Sequence, residues 1–577
     1  MGKSGPASGP PGTTLTPKRS DTPGRAEKSA SGNRGKGDPL QKRFSETIPL
    51  SIPGKAKDLS RRNGKLLLLS GPQQGREFTL NRDGCRIGSG PANDVVLDDP
   101  TVSRRHCEIR FTPEGCLIRD LGSTNGTFVH GVRVSEAFLD HGTEFRLGKT
   151  VFVFRSPKDA GPPPAVPGAS LPIQKFSSHG IGYSVAEWNG VRHVFAAAVP
   201  RRGTTLAGQA DDALRIIETV NSVHGAHGTI VQQSVFVPDP SRIDECRRII
   251  RRFYGPDLPA TTYIAQPPCE EKRIAIEALG LGTSPRDVKI ERLGEHLVIA
   301  RHGGMAWAYA APAAPPTGSD RAYDQGIAAF RQLRQLLGGV SLRLHQVIRT
   351  WLYLGGIVAE EEGTQRYREL NRARAEAYAG VPFFRDRLPK GHPAEVYPAS
   401  TGIGTEGRGL VLSAIALGTD RPDVLILPLE NPRQTSAYRY DARYGPQSPK
   451  FSRAVAVACG PDALILISGT ASITRSETRH PGDARAQTRE TLDNIEALIS
   501  EENLSRHGLP GRGTTLGGIA LARVYVKRKE DYPRVRAVCE ERLGELPTVY
   551  AAADVCRPDL LVEIEGIAFS RSLPPPR

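Results

Sequence analysis

Residues 545–569 read ELPTVYAAADVCRPDLLVEIEGIAF, and residues 258–279 read LPATTYIAQPPCEEKRIAIEAL. Tyr550 and Cys556 have the same six-residue spacing as Tyr263 and Cys269. The likeness extends outward. QADDALRIIETVNSV (209–223), TIVQQSVFV (229–237) and CRRIIRRFYG (246–255) lead into the earlier stretch. QTRETLDNIEALI (487–499), GIALARVYV (518–526) and RVRAVCEERLG (534–544) lead into the later one. Self-similarity of this kind marks a repeated unit. Strands that alternate with helices predict helices packed on one face of a sheet. The Pro/Ala segment AAPAAPPTGS (310–319) predicts a boundary, giving lobes at 171–318 and 319–570.

Upstream the pattern changes. KLLLLS, EFTL, DVVL, HCEIRF, CLIRD, TFVHG, EFRLG and VFVFR are short strands between residues 63 and 157. Asn125-Gly126 and His130-Gly131 punctuate them, and the spacing predicts an antiparallel β-sandwich. Residues 158–170 read as a Pro-rich linker. Residues 1–62 are rich in Gly, Pro, Ser and Lys and predict a disordered basic tail.

Composition narrows the class. The chain has 577 residues and a net charge of +15. Residues 1–63 carry 13 Lys/Arg and 5 Asp/Glu, so about half of that excess lies on the tail. Aromatics are 6% of the chain and no nucleic-acid motif is present, so a nucleic-acid partner is not expected. No apolar run has membrane-spanning length, and the start MGKSGPASGPPG lacks a signal-peptide core. The eight cysteines are scattered, with no CxxC pair. A cytoplasmic protein without disulfides, metal or cofactor is expected.

The stretches GSGPANDVVLDDPTVSRRHCEI (88–109), DLGSTNGTFVHG (120–131) and LDHGTEFRLG (139–148) resemble the forkhead-associated (FHA) family. The resemblance implies a phosphothreonine-peptide reader. Ser103 and Thr124 would donate to phosphate, Asn125 would hold the peptide backbone, Arg104 would add charge and His106 would brace the loops. Converging hydroxyl and guanidinium donors suit a phosphate. One departure stands out: Ile87-Gly88 is followed by Ser89 where the family places arginine, and Arg86 precedes the pair. A phosphate-independent docking surface is the competing reading. Thr47 in RFSETIPL offers an intramolecular phospho-ligand.

RTWLYLGGI (349–357), YRELNRARAEAY (367–378), YPASTGIG (397–404), the 430–454 stretch ENPRQTSAYRYDARYGPQSPKFSRA, ISGTASI (467–473) and ADVCRPDLLVEIEGIA (553–568) together resemble the chorismatases, in their FkbO-like and 3-hydroxybenzoate-forming branches. The implied fold class is multidomain: the tail, an all-β FHA sandwich, then two α+β Rid-like (chorismate-mutase-like) lobes in tandem. The implied reaction cleaves the enolpyruvyl ether of chorismate and releases pyruvate. Such chemistry needs cations for two carboxylates and an acid kept protonated in a dry pocket.

The family motif places that acid at Glu563. Strand alternation puts Glu563 and Glu565 on one face. In the repeat, Glu565 aligns with Glu277 and Glu563 with Ala275, which makes Glu565 architectural and Glu563 chemical. Arg372 and Arg374 lie two apart on a helix, so one of them is expected to face the pocket. Arg453, the Tyr438, Tyr440 and Tyr444 cluster, and Tyr550 complete the expected substrate grip. Gly402 and Gly404 are expected to let backbone NH groups approach an anion, and plain turns would use them equally well. Ala471 and Cys556 match the 3-hydroxybenzoate-forming type, in which Cys556 excludes water; ordinary buried packing is the bland reading of that thiol. Two rivals remain. A Rid-type imine deaminase would need an arginine just after its loop proline, and Thr548 follows Pro547. A non-catalytic FHA scaffold would not need Glu563 or STGIG.

Overall fold

The computed structural model describes residues 64–572, except 71–72, 74–75, 81–83, 113–114, 130–131, 140–142, 156–172, 179, 226–227, 283–287, 313–317, 390–391, 393–394, 441–444 and 446. The tail with Thr47, the linker and Tyr444 lie outside the described residues. The chain divides into two compact units, Met1–Ala160 and Gly161–Arg577. Among the described residues no helix is long and apolar enough to cross a membrane. All eight cysteines are free thiols.

The front unit is an FHA-like β-sandwich. One sheet has six strands, in the order Glu77–Leu80, Gly64–Ser70, Thr150–Arg155, Glu144–Leu147, Thr127–Val129, Val132–Val134. The other has five, in the order Val95–Val96, Cys85–Gly88, Cys107–Thr112, Gly115–Asp120, Glu136–Leu139. Alternation drives the packing: Leu66, Leu68, Ile87, Ile109, Ile118, Phe145 and Phe152 turn inward and are nearly inaccessible.

Among the described residues the rear unit contains three large sheets, besides two short two-stranded ribbons, and this corrects the expected two lobes. Each large sheet has six strands in one shared order. The first runs Ile173–Ser178, Ile181–Trp188, Val191–Ala198, Ala275–Leu281, Thr229–Val237, Ala260–Ala265. The middle sheet runs Lys289–Arg292, Leu297–His302, Met305–Ala310, Leu410–Thr419, Val347–Gly355, Ala399–Thr405. The last runs Val424–Leu429, Ala454–Cys459, Asp462–Ala471, Val562–Arg571, Ile519–Val526, Thr548–Ala552. The boundary expected at 318/319 therefore cuts through the middle sheet. A Pro/Ala segment reads as a linker, but here it joins a hairpin to the helix of the same unit.

Two long helices serve each sheet: Leu206–His224 and Ile243–Tyr254, Ala322–Gly338 and Arg366–Ala377, Ala484–Ile499 and Tyr532–Leu543, the last unit adding the short Glu501–Arg506. Thr205 and Asp483 cap two of them by accepting from backbone NH groups. Apolar side chains from all three sheets, among them Phe195, Trp307, Tyr525 and Phe569, share one continuous core.

A β-bulge recurs at one place in the three sheets, between Ile230 and Gln232, Val347 and Arg349, and Ile519 and Leu521. Beyond it the registers agree. Phe236, Tyr353 and Tyr525 pair with Ala275, Val411 and Glu563. Ser234, Trp351 and Arg523 pair with Glu277, Ser413 and Glu565. Glu565 thus occupies the place of Glu277, and Glu563 that of Ala275.

Candidate active site

Glu563 lies on Val562–Arg571, opposite Ala471 on one side and Tyr525 on the other. It is 5% exposed. The strand beside it carries a second bulge, between Ile467 and Thr470, and bulges re-aim side chains next to sites. Gly469 sits in that bulge. A Cβ there would run into Glu563 Oε1, so the glycine leaves room for the carboxyl group where it stands.

A cleft of about 370 Å³ opens over Glu563. Its walls come from two sheets. The middle unit contributes Tyr367, Arg368 and Asn371 on Arg366–Ala377, with Ser400 and Gly402 on the neighbouring strand. The last unit contributes Gly469, Ala471, Phe451, Arg453, Tyr440, Cys556, Arg557 and Leu560. Burial, then the charge of Glu565, pushes the Glu563 carboxyl up to about 8, against the pull of Arg349 and Arg453. Burial first, then Glu563, pushes the Cys556 thiol up to about 12, so it lines the cleft as an uncharged, nearly apolar group.

Among the described residues three guanidinium groups, of Arg368, Arg453 and Arg557, line this cleft. Arg453 Nη2 donates to Thr435 O (2.8 Å) and Tyr440 Oη (2.6 Å). Arg557 Nη1 donates to Ser476 O (2.8 Å), and the group lies 5.4 Å from the Tyr440 ring centre. Arg368 Nε and Arg453 Nε are buried with no hydrogen-bond partner among the described residues. Such donors suit the carboxylates of a small anion.

Several expected site residues are elsewhere. Arg372 is outside the cleft: it pairs with Glu369 (2.5 Å) and stacks over the Tyr323 ring at 3.8 Å. Arg374 is buried behind the wall, donating to Asn371 Oδ1 (2.6 Å) and Ser400 Oγ (3.2 Å), and so positions two residues that face inward. Gly404 is also outside. Its NH donates to Asp554 O (2.8 Å), and a Cβ would strike Asp554, so it serves close packing rather than an anion. Tyr550 is packed beside Tyr532, ring centres 5.3 Å apart, in the core of the last unit. Tyr440, Arg453, Ala471, Cys556 and Glu563 do come together. Arg368, Asn371, Tyr367 and Arg557 escaped the sequence reading. Spacings of four and three from Tyr367 and Arg368 to Asn371 mark one helix face and would have exposed the first three.

A second buried set lies behind the cleft. Glu565 accepts from Arg349 Nη2, Thr401 Oγ1, Trp351 Nε1 (3.0 Å) and Tyr525 Oη (3.0 Å), and Arg523 Nη1 lies at 2.9 Å. Glu277 is held by Arg523 at 2.6 Å. These groups tie all three sheets together, in keeping with an architectural Glu565.

In the front unit, Ser103 Oγ accepts from Thr124 N (3.0 Å) and donates to Thr124 Oγ1 (3.4 Å). Ser103 N donates to His106 Nδ1 (3.1 Å), which leaves the proton on Nε2 to reach Gly126 O (3.2 Å). Burial holds the His106 ring below its ordinary proton affinity, so it braces both loops uncharged. Asn125 Nδ2 donates to Thr101 O (2.8 Å), and the side chain of Arg104 is exposed. Ser89 Oγ donates to Val102 O (2.8 Å), a loop tie rather than a charged donor. Arg86 stands exposed between buried Cys85 and Ile87. Arg133, which the sequence reading did not single out, crosses the space where a Cβ on Gly126 would stand.

Comparison with known proteins follows this division. A family model described as "Inner membrane component of T3SS, cytoplasmic domain" matches residues 67–158. One described as "Chorismatase FkbO/Hyg5-like, N-terminal" matches 286–416, and "Endoribonuclease L-PSP" matches 446–570. The front unit is similar to the glycogen accumulation regulator GarA of Mycolicibacterium smegmatis, 40% identical over 89 residues, 15% of this chain and 56% of that one. A chorismatase of Streptomyces rapamycinicus is 37% identical over 278 residues, 46% of this chain and 77% of its own length. A 3-hydroxybenzoate synthase of Streptomyces hygroscopicus is 38% identical over 261 residues, 44% of this chain and 72% of its own length. The chorismatase and L-PSP matches fall on the two units that wall the cleft, and the chain belongs to the chorismatase family.

Proposed function

We propose that the rear unit cleaves the enolpyruvyl ether of chorismate to pyruvate and 3-hydroxybenzoate. The observation that carries this reading is a carboxyl group kept protonated near neutral pH at the base of a cleft lined by three arginines. Arg368, Arg453 and Arg557 hold the two carboxylates, and the Tyr440 hydroxyl supports Arg453. Glu563 protonates the methylene carbon of the enol ether. In the resulting oxocarbenium ion the bond between the ether oxygen and its ring carbon breaks as the neighbouring ring hydroxyl displaces it, so the ether oxygen leaves as the pyruvate carbonyl and the hydroxyl proton replaces the one given by Glu563. The two products together contain all the atoms of chorismate, so no water is consumed. Cys556 and Ala471 keep water from the cation, which favours displacement within the substrate followed by aromatisation. The dihydroxycyclohexadiene branch would consume one water.

The rear sheets are read as Rid-like units, and the enzyme as cytoplasmic. Incubation of the purified chain with chorismate, followed by chromatography, tests the reading. Pyruvate with 3-hydroxybenzoate supports it. Pyruvate with a dihydroxycyclohexadiene carboxylate moves it to the other branch. Absence of pyruvate leaves the non-catalytic scaffold reading.

The front unit is read as a phosphothreonine-peptide module, because Ser103, Thr124 and Asn125 are held together at one set of loops. Arg104 and Arg133 supply the positive charge that Ser89 does not. A phosphothreonine peptide library should bind, and Ser103→Ala should weaken that binding at least tenfold. Equal binding of phosphorylated and unphosphorylated peptides would end this reading.

A further inference from the structure

We propose that Glu565, acting with Arg349 and Thr401, is a positioning residue that keeps the proton on Glu563 and so sets the upper pH limit of turnover. The inference rests on the chorismate-cleaving reading and concerns the same site. Glu563 and Glu565 alternate on one strand, so their side chains share a face about 6.5–7 Å apart along it. Both are nearly inaccessible, at 5% and 4%. At that separation, away from water, a fixed negative charge opposes a second one strongly.

The connection is also mechanical. Thr401 Oγ1 donates to Glu565 Oε2 and accepts from Gly469 N at 2.9 Å. Gly469 is the residue whose missing Cβ makes room for Glu563 Oε1. One hydroxyl therefore joins the central ion cluster to the bulge beneath the acid. Arg349 Nη2 reaches both Thr401 Oγ1 (2.6 Å) and Glu565.

The groups that act on Glu563 come from every side. Arg349 stands on Val347–Gly355 and Arg453 just before Ala454–Cys459. Tyr367 and Cys556 approach from the middle unit and from the segment leading into the last strand. Burial pushes both hydroxyl and thiol upward, so neither brings negative charge near neutral pH. Glu565 is the carboxylate of this set. In the first sheet Glu277 holds the matching place, but Ala275 stands where Glu563 would be, so there the ion cluster has no acid to act upon.

The test is an infrared titration of the whole protein. The carboxylic-acid carbonyl band of Glu563 is assigned by its loss in Glu563→Gln. In Glu565→Gln its midpoint should fall by roughly one pH unit or more, because the repelling charge is gone while Arg349 stays. In Arg349→Met it should rise. The upper pH limit of pyruvate release should move in the same two directions. A purely structural role would lower stability without this pattern of opposite signs. Each expectation is signed, so either variant that folds by circular dichroism decides the matter alone. An unmoved midpoint, or the same direction in both variants, overturns the proposal. The band titrates without substrate, so failure of the chorismate reading leaves this test intact. Turnover by the unsubstituted enzyme with an unmoved midpoint overturns this proposal alone.

Discussion

Two junctions in the rear unit are built alike and end differently. At one, the last sheet meets the middle sheet. Glu563 and Cys556 face a strand that carries Gly402, and a cleft of about 370 Å³ lies between them. At the other, the first sheet meets the last, with Ala275 and Cys269 in the matching places and Tyr550 on the facing strand. Gly402, Tyr550 and Tyr263 are equivalent: each pairs with the residue three beyond the first residue after the bulge, Leu352, Val524 and Val235. The interlocking backbone bonds also correspond, Gly404 N to Asp554 O (2.8 Å) and Ala552 N to Pro267 O (2.7 Å). With the backbone the same, the difference rests on side chains. At one junction the Tyr550 ring packs beside Tyr532 with Cys269 in the same buried cluster, and at the other a glycine leaves room for the ring of Tyr367.

The largest effect should come from removing the acid that the open junction holds. Glu563→Gln keeps shape and removes the transferable proton. General acids contribute about 10²–10⁴-fold, so pyruvate release from chorismate should fall by about a thousandfold or more, with an unchanged circular dichroism spectrum. The next effect should come from turning the open junction into the closed one. A Cβ at Gly402 would stand 2.9 Å from Tyr367 Cε2, so Gly402→Tyr should drive a ring into the cleft. Turnover should fall by about a hundredfold or more through lost substrate binding, while the melting temperature stays within a few degrees.

The pH profile sharpens the comparison further. In the proposed reaction Glu563 acts in its protonated form, and its carboxyl is pushed up to about 8. Turnover should therefore persist through neutrality and fall tenfold per unit above about pH 8. The same shift bears on folding. A carboxyl with a raised folded-state value favours the folded state fully below its unfolded value, and that contribution disappears as pH rises through about 8. Denaturant midpoints should decline over this interval, and less so in Glu563→Gln. The smallest effect belongs to Arg372→Ala. Its pairs with Glu369 and Tyr323 lie on the surface, so kinetics should be unchanged and stability altered by at most about 1 kcal/mol.

Much of this was legible in the residues. The spacing of Tyr and Cys marks a repeat, and strand alternation by itself puts Glu563 and Glu565 on one face. The aligned repeat also separated the glutamate shared with the first sheet from the one that is not. The middle unit stayed hidden for the reason that makes it useful: Gly402 stands where the others have tyrosine, and Arg408 follows six residues later where they have cysteine. The same glycine that leaves room in the cleft breaks the repeated signature.

The order of strands and helices and the shared face of Glu563 and Glu565 follow from patterns local to the chain, because side-chain direction repeats every two residues in a strand and every three to four in a helix. Which arginines line the cleft and which glycine yields space were decided only when separate sheets came face to face. Arg368 and Glu563 are far apart in sequence and share a cleft, and Gly469 matters because Glu563 swings over it. Contacts of that kind depend on how whole surfaces fit, which no spacing along a single strand encodes.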